Sequence, residues 1–316
     1  MAHPPASPSN SRTLKRWHFI VVLAIALPGI VAISSTIIST VDAGNPKMNR
    51  PQSVRILETP YYYPNQFQRS VERAIQLGPA FPEKKVLGAI IPHDFTRGEY
   101  IAHFFQGLQS QQPQRIILIG PNHHEVGSGL VQTTAASWKT ANGLVEADQG
   151  LVQALVDGGY ALANDHVAVN EHSVSAIMPF IGHYLPGTTV VPVILKAELR
   201  LPELQRLVAL LDQHFDDQTV VVAAVDFSHY LSVPEAEAHD HVTRAALETL
   251  DYQTILSFGA RFNDYLDSPP SIALLLFWLS QRGITGYTVL HHANSGILAG
   301  TTAAPTTSYF EMVYYK

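Results

Sequence analysis

The chain contains no cysteine. That absence removes disulfides, zinc–thiolate sites and a cysteine nucleophile together, so any metal must be held by His, Asp, Glu or backbone oxygen. Charge is sparse as well: 15% of the 316 residues are Asp, Glu, Lys or Arg, the formal net charge is −6, and no basic run is present. Such a chain has no electrostatic footprint for nucleic acid, and a small-molecule or peptide ligand is the expected partner. Repeats and low-complexity tracts are missing too from residue 52 onward. Apolar residues are abundant at 46%, which is enough for a large buried core and unlike a disordered segment.

The N-terminus reads separately from the rest. Arg12, Lys15 and Arg16 precede an uncharged stretch over 17–41 rich in Ile, Val, Leu and Ala. A run of about 20 apolar residues can cross a bilayer. Pro28-Gly29 interrupts this one, and Val41-Asp42-Ala43 offers the small-x-small ending of a cleavage site. Residues 1–43 are therefore expected to be a cytoplasmic tail with a signal peptide or a membrane anchor, and both alternatives stay open. Positive-inside asymmetry sets the remainder outside the cytoplasm, exported or attached to the membrane through this segment if it is uncleaved. Residues 44–51 read as a linker, and 52–316 as one domain.

Apolar runs predict strands over 86–91, 115–119, 189–195, 219–225, 287–290 and 309–314. Most are apolar on both faces, as in the centre of an α/β sheet. Amphipathic patterns predict helices between them, over 98–108, 149–157, 174–184, 201–214, 234–250 and 271–281. The alternation implies α/β class: a single layered α/β/α domain around a mostly buried mixed sheet, preceded by the apolar N-terminal segment.

Chemistry collects where these strands end. Pro92-His93-Asp94 follows the first, Gly120-Pro121-Asn122-His123-His124 the second, and Asp226-Phe227-Ser228-His229-Tyr230 the run over 219–225. Ligands in α/β proteins bind at the carboxyl ends of strands, and imidazoles from separate strands can converge on iron, copper or zinc. Asn170-Glu171-His172-Ser173 stands ahead of a helical pattern. Either Asn170 or Ser173 caps that helix, or His172, kept neutral at a helix N-terminus, donates a hydrogen bond to a developing oxyanion. His103, His166, His183, His214, His239 and His241 have no comparable setting and read as structural or surface residues. Tyr61-Tyr62-Tyr63 and Phe104-Phe105 either shape an aromatic pocket or belong to the core.

Taken in order, Ile91-Pro92-His93, Gly120-Pro121-Asn122-His123-His124, Glu171-His172-Ser173 with Pro179-Phe180 beyond, and Asp226-Phe227-Ser228-His229-Tyr230 resemble the Memo family. The resemblance extends from about Tyr62-Tyr63-Pro64 to Ser308-Tyr309. It implies a fold similar to the class III extradiol dioxygenases, which use nonhaem Fe(II), and a cleft where two histidines and a cysteine are proposed to bind iron or copper. Animal members are described as redox proteins and signalling adaptors. Carried over, it makes His93 and His123 metal ligands, with His172 and His229 lining the cleft. The family cysteine aligns with Asp267, Asp264 being the competing candidate; as an alternative, Asp267 is a helix cap or turn acid. The family's Ala-Gly-Tyr after the first histidine is replaced by Asp94-Phe95-Thr96, and Ser175 stands where a second acid is usual. Two His and one carboxylate form the facial triad of nonhaem Fe(II) oxygenases. Fe(II) is the favoured cofactor, with Mn, Zn or Cu as alternatives.

The expected function is a metal-dependent redox or dioxygenase-like enzyme. His229 serves as acid/base, with Asp226 orienting it, and Asp94 is a conceivable acceptor behind His93. The alternatives are a noncatalytic binding module using the same cleft, and hydrolysis by zinc-bound water.

Overall fold

The computed structural model describes residues 55–78, 81–259, 264–302 and 305–316. The expected tail, apolar segment and linker lie outside the described residues. Among the described residues, no helix is long and apolar enough to cross a membrane. In chain order the elements begin with β1 (Ile56–Glu58), α1 (Pro64–Ala74), β2 (Val86–Ile91), α2 (Gly98–Leu108), β3 (Arg115–Pro121) and β4 (Val131–Thr133). Next come β5 (Ser137–Thr140), β6 (Gly143–Val145), α3 (Gln149–Asp157), β7 (Leu162–Ala163), α4 (Asp165–Asn170), α5 (His172–Ser175) and α6 (Met178–Tyr184). The remainder is β8 (Thr189–Leu195), α7 (Leu201–His214), β9 (Thr219–Ala224), β10 (Phe227–Leu231), α8 (Val233–Thr249), α9 (Tyr252–Ser257), α10 (Pro269–Gln281), β11 (Gly286–Asn294), α11 (Ser295–Leu298) and β12 (Thr306–Tyr315).

The main sheet runs β10-β12-β2-β9-β3-β8-β4-β7, with β11 also paired to β12. Its centre is parallel: β9 lies between β2 and β3, and β3 pairs β8 in the same sense. Antiparallel strands flank it, with β12 on β2 and β4 on β8, so the sheet is mixed as expected. A small sheet, β1-β5-β6, stands apart.

Period-two alternation explains the layers. On β9, Val220, Val222 and Ala224 enter one apolar cluster with Phe67, Phe104, Phe105 and Phe180, which come from α1, α2 and α6. Val221 and Ala223 enter the other, with Leu151, Leu207 and Leu275 from α3, α7 and α10. Both faces of the strand are therefore covered, which is why it reads as a continuous apolar run. The helix expected over 174–184 is divided into α5 and α6. Pro179 sits in the first turn of α6, where its missing N–H is harmless; inside a longer helix it would break the ladder.

Candidate metal centre

Because β2, β9 and β3 are parallel neighbours, their carboxyl ends open on one edge. Each then delivers a polar residue at the same offset, two positions past its last strand residue: His93 after Ile91, Asp226 after Ala224 and His123 after Pro121. The sheet thus converts three separate sequence motifs into one cluster. Asp267 arrives from another direction. Leu266 bridges Phe227, and the Asp267 N–H donates to the Asp226 carbonyl at 3.0 Å, so this segment is stitched beside the end of β9 just before α10.

The geometry brings His93, His123 and Asp267 together. Asp267 Oδ2 lies 3.1 Å from His93 Nε2 and 3.3 Å from His123 Nε2. Both rings are oriented from behind. His93 Nδ1 donates to the Ala224 carbonyl at 3.0 Å, and His123 Nδ1 donates to Glu171 Oε1 at 2.8 Å. Each Nε2 is left facing inward, as in metal-ligating histidines whose other nitrogen is held by a carbonyl or carboxylate. Asp264 is not part of this group; its backbone carbonyl accepts from His239. The cap of α10 is Ser268, whose hydroxyl accepts from the Ser271 N–H, which frees the Asp267 carboxylate for the site.

His172 stacks on His123 with ring centres 4.2 Å apart and meets His93 edge to face at 4.9 Å. Two overlapping groups therefore bring ligand atoms within 4.8 Å of one another: His93 with His123 and His172, and His93 with Asp226 and Asp267. Neither Asn170 nor Ser173 caps the helix starting at His172. Glu171 does, accepting from the Ser173 N–H at 3.1 Å while it grips His123. That double duty was not anticipated in the sequence, although its signal was present: an acid one residue before a site histidine.

Charge is balanced inside the cluster. Burial opposes the His93 imidazolium, but the Asp226 and Asp267 carboxylates outweigh it and raise the ring to about 10. For His123, burial is again overcome, by hydrogen bonds to Asp267 and Glu171, and the ring rises to about 9. Glu171 is held down to about 2 against burial, chiefly by His123, and Asp267 is lowered by His93 and His123. His172 falls to about 3 through burial and the positive charge of His93 and His123. Its neutrality thus owes little to the four-residue α5.

Asp226 differs from expectation. Its Oδ1 accepts the His93 backbone N–H at 3.0 Å, and burial raises it to about 6 despite His93. It does not orient His229, whose Nδ1 is buried without a hydrogen-bond partner. The physical reason lies in β10, where bulges on either side of His229 aim its ring independently of the preceding turn. Burial lowers the His229 pKa. Asp94 does not stand behind the His93 ring either; it accepts from Thr96 and from the Tyr309 hydroxyl.

A cleft of about 390 Å³ borders the cluster, lined among others by Tyr61, Tyr63, Phe95, His172, His229 and Thr307. Phe104 and Phe105 are fully buried and belong to the core. His124, next to His123 in the chain, is exposed. The residues present fit a divalent ion: two imidazole nitrogens converge on one carboxylate, and Asp267 Oδ1 is buried with no partner. Such an ion would replace protons on the two rings, since metal-bound imidazole is neutral.

A family model described as Memo-like protein matches residues 61–313. A MEMO1 family protein of Pyrobaculum arsenaticum is 25% identical over 81% of this chain and 96% of its own length. One from Caldivirga maquilingensis is 27% identical over 80% of this chain and 93% of its own length. A third, from Methanopyrus kandleri, is 28% identical over 67% and 78%, respectively. A solved structure of an uncharacterized protein from Escherichia coli K12 superposes with a TM-score of 0.48 at 13% identity, covering 73% of this chain and 100% of that one. On the extent of the family match, the chain belongs to the Memo family.

Proposed function

We propose that the chain is a metal-dependent redox enzyme of dioxygenase-like type, holding one divalent ion, Fe(II) by preference, on His93 Nε2, His123 Nε2 and Asp267. The observation that carries this reading is the meeting of two oriented Nε2 atoms at a single oxygen of a buried carboxylate. When bound by these residues, Fe(II) would supply dioxygen and one-electron chemistry.

The other tasks fall to the chain's own side chains. Tyr61, Tyr63 and Phe95 offer a wall for a flat, aromatic hydroxylated ligand. His229, neutral at physiological pH because burial disfavours its cation, takes a proton from the ligand hydroxyl on a ring nitrogen and returns it. His172, also neutral, donates a hydrogen bond across the mouth of the cleft. Asp226 holds the His93 backbone and so keeps that ring in register.

We further propose that the domain works outside the cytoplasm. Support comes from the basic residues Arg12, Lys15 and Arg16 ahead of the apolar 17–41 stretch. A reporter enzyme active only after export, fused behind residue 51, would be silent if this is wrong.

The decisive experiment is element-resolved metal analysis of protein purified without chelator, followed by oxygen uptake with catechol as probe. Loss of iron in His93→Ala and His123→Ala and weakened iron in Asp267→Ala are expected. Full metal retention in all three ends the reading. Metal-free protein that still binds a peptide or small molecule would instead indicate a noncatalytic module.

A further inference from the structure

A second cluster lies on β11 and β12, sharing no residue with the strand-end site. His291 and Glu311 are direct cross-strand partners, so their side chains leave the same face of the sheet. A β-bulge creates that pairing. Val289 pairs Met312, Leu290 has no partner of its own, and His291 therefore takes the place opposite Glu311. Bulges re-aim side chains in this way next to functional sites. His103 approaches from α2, with Nδ1 2.8 Å from Glu311 Oε1, and its ring meets His291 edge to face at 4.9 Å.

An ion pair between His103 and Glu311 does not account for this cluster. Glu311 is 1% exposed, yet its Oε2 has no hydrogen-bond partner. His291 Nε2 stands 3.8 Å from that oxygen and is also buried and unpartnered. Unpaired buried polar atoms are rare because nothing replaces the water they lose. His103 Nε2, by contrast, donates to the Gly78 carbonyl at 2.7 Å, which fixes the ring and turns Nδ1 toward the other two residues.

We propose that His103 Nδ1, His291 Nε2 and the Glu311 carboxylate form a second metal site, for a divalent first-row ion such as Zn(II). The three ligand atoms already lie within 4.8 Å of one another. Tetrahedral ligands bonded at about 2.1 Å stand about 3.4 Å apart, so a pair at the 4.8 Å limit closes by about 1.4 Å. His291, with 22% of its side chain exposed, is the ring with room to swing. Two imidazoles and one carboxylate suit Zn(II), Fe(II) or Mn(II), and three protein ligands leave a position for water. The His103 and Glu311 acceptor–donor contact becomes shared coordination, and both orphaned atoms are satisfied.

The test uses the full chain without a histidine tag, stripped by chelator and reloaded with Zn(II), with bound zinc counted by mass spectrometry. Wild-type protein is expected to hold one more Zn(II) per chain than either Glu311→Gln or His291→Ala. His93→Ala combined with His123→Ala is expected to keep that ion. Co(II) substitution provides a second readout: its visible absorption should lose one component in each cluster variant. Glu311→Gln conserves shape, and His291→Ala alters a partly exposed residue, so circular dichroism should match wild type. Equal zinc content in wild type and both cluster variants overturns the proposal, as does complete loss of zinc from the strand-end double variant.

Discussion

Glu171 holds His123 at two points: one carboxylate oxygen accepts the ring Nδ1–H at 2.8 Å, and the other accepts the backbone N–H at 2.8 Å. The acid therefore sets both the position of the residue and the tautomer that presents Nε2 to the site. Acceptors of this kind are worth about 10–100-fold in metal affinity. Glu171→Ala should weaken Zn(II) binding at the strand-end site by that factor, measured by competition with a chromophoric chelator. Unchanged affinity would mean that packing alone orients His123.

Gly120 tests the same support from the opposite side. A Cβ at this position would stand 2.5 Å from Ser173 Oγ and 2.8 Å from Ser173 Cβ. Ser173 also donates to the Pro121 carbonyl at 3.0 Å, tying the segment after Glu171 to the end of β3. Gly120→Ala should push this segment outward, cost about 1–3 kcal/mol through overpacking, and loosen Glu171 from His123. Thermal unfolding and Zn(II) affinity should both fall; a stability loss with full affinity would uncouple the two.

The core strands and the histidines at their ends were legible because both signals are local. Buried parallel strands such as β9 are apolar at every position, and His93 and His123 lie two residues beyond such runs. Resemblance to the family brought Asp267 forward, but its approach depends on a bridge between Phe227 and Leu266, 39 positions apart in the chain. Nothing local announces that contact. Strands β1, β4, β5, β6 and β7 span two to four residues each, too short for any period to register. His103 reads as a structural or surface residue in the sequence, and His291 carries no signal there, for a related reason: a bulge at Leu290, invisible in the hydropathy pattern, decides what faces Glu311.

Acid stability should report a contact far from the cleft. Asp148 caps α3 by accepting the Leu151 N–H at 2.9 Å and pairs with Arg115 Nε at 2.6 Å. Burial works to raise its pKa, but the Leu151 amide and Arg115 win and lower it from 3.8. A depressed carboxyl pKa contributes stability that is present above the unfolded value and is lost as pH falls through the folded one. Asp148→Asn keeps the cap and removes the charge. It should cost about 1 kcal/mol at neutral pH for a partly screened pair, and the gap should shrink once pH drops below 3.8. Urea unfolding at neutral pH and in acid decides it, and a gap that widens in acid refutes the assignment.

His229 separates proton transfer from metal retention. Its Nδ1 makes no hydrogen bond, and none joins it to Asp226, so its removal disturbs no ligand. His229→Gln should leave the metal content of the strand-end site unchanged and lower turnover of the catechol probe by about 10²–10⁴-fold, the usual worth of a positioned acid/base. Asp226→Asn acts elsewhere, through the backbone of His93, and should mainly weaken metal binding. With no hydrogen bond joining them, the two changes should combine additively on a free-energy scale. Strong coupling in the double variant would show that Asp226 does govern His229 during turnover. Loss of metal in His229→Gln alone would move His229 from the acid/base position into the ligand set.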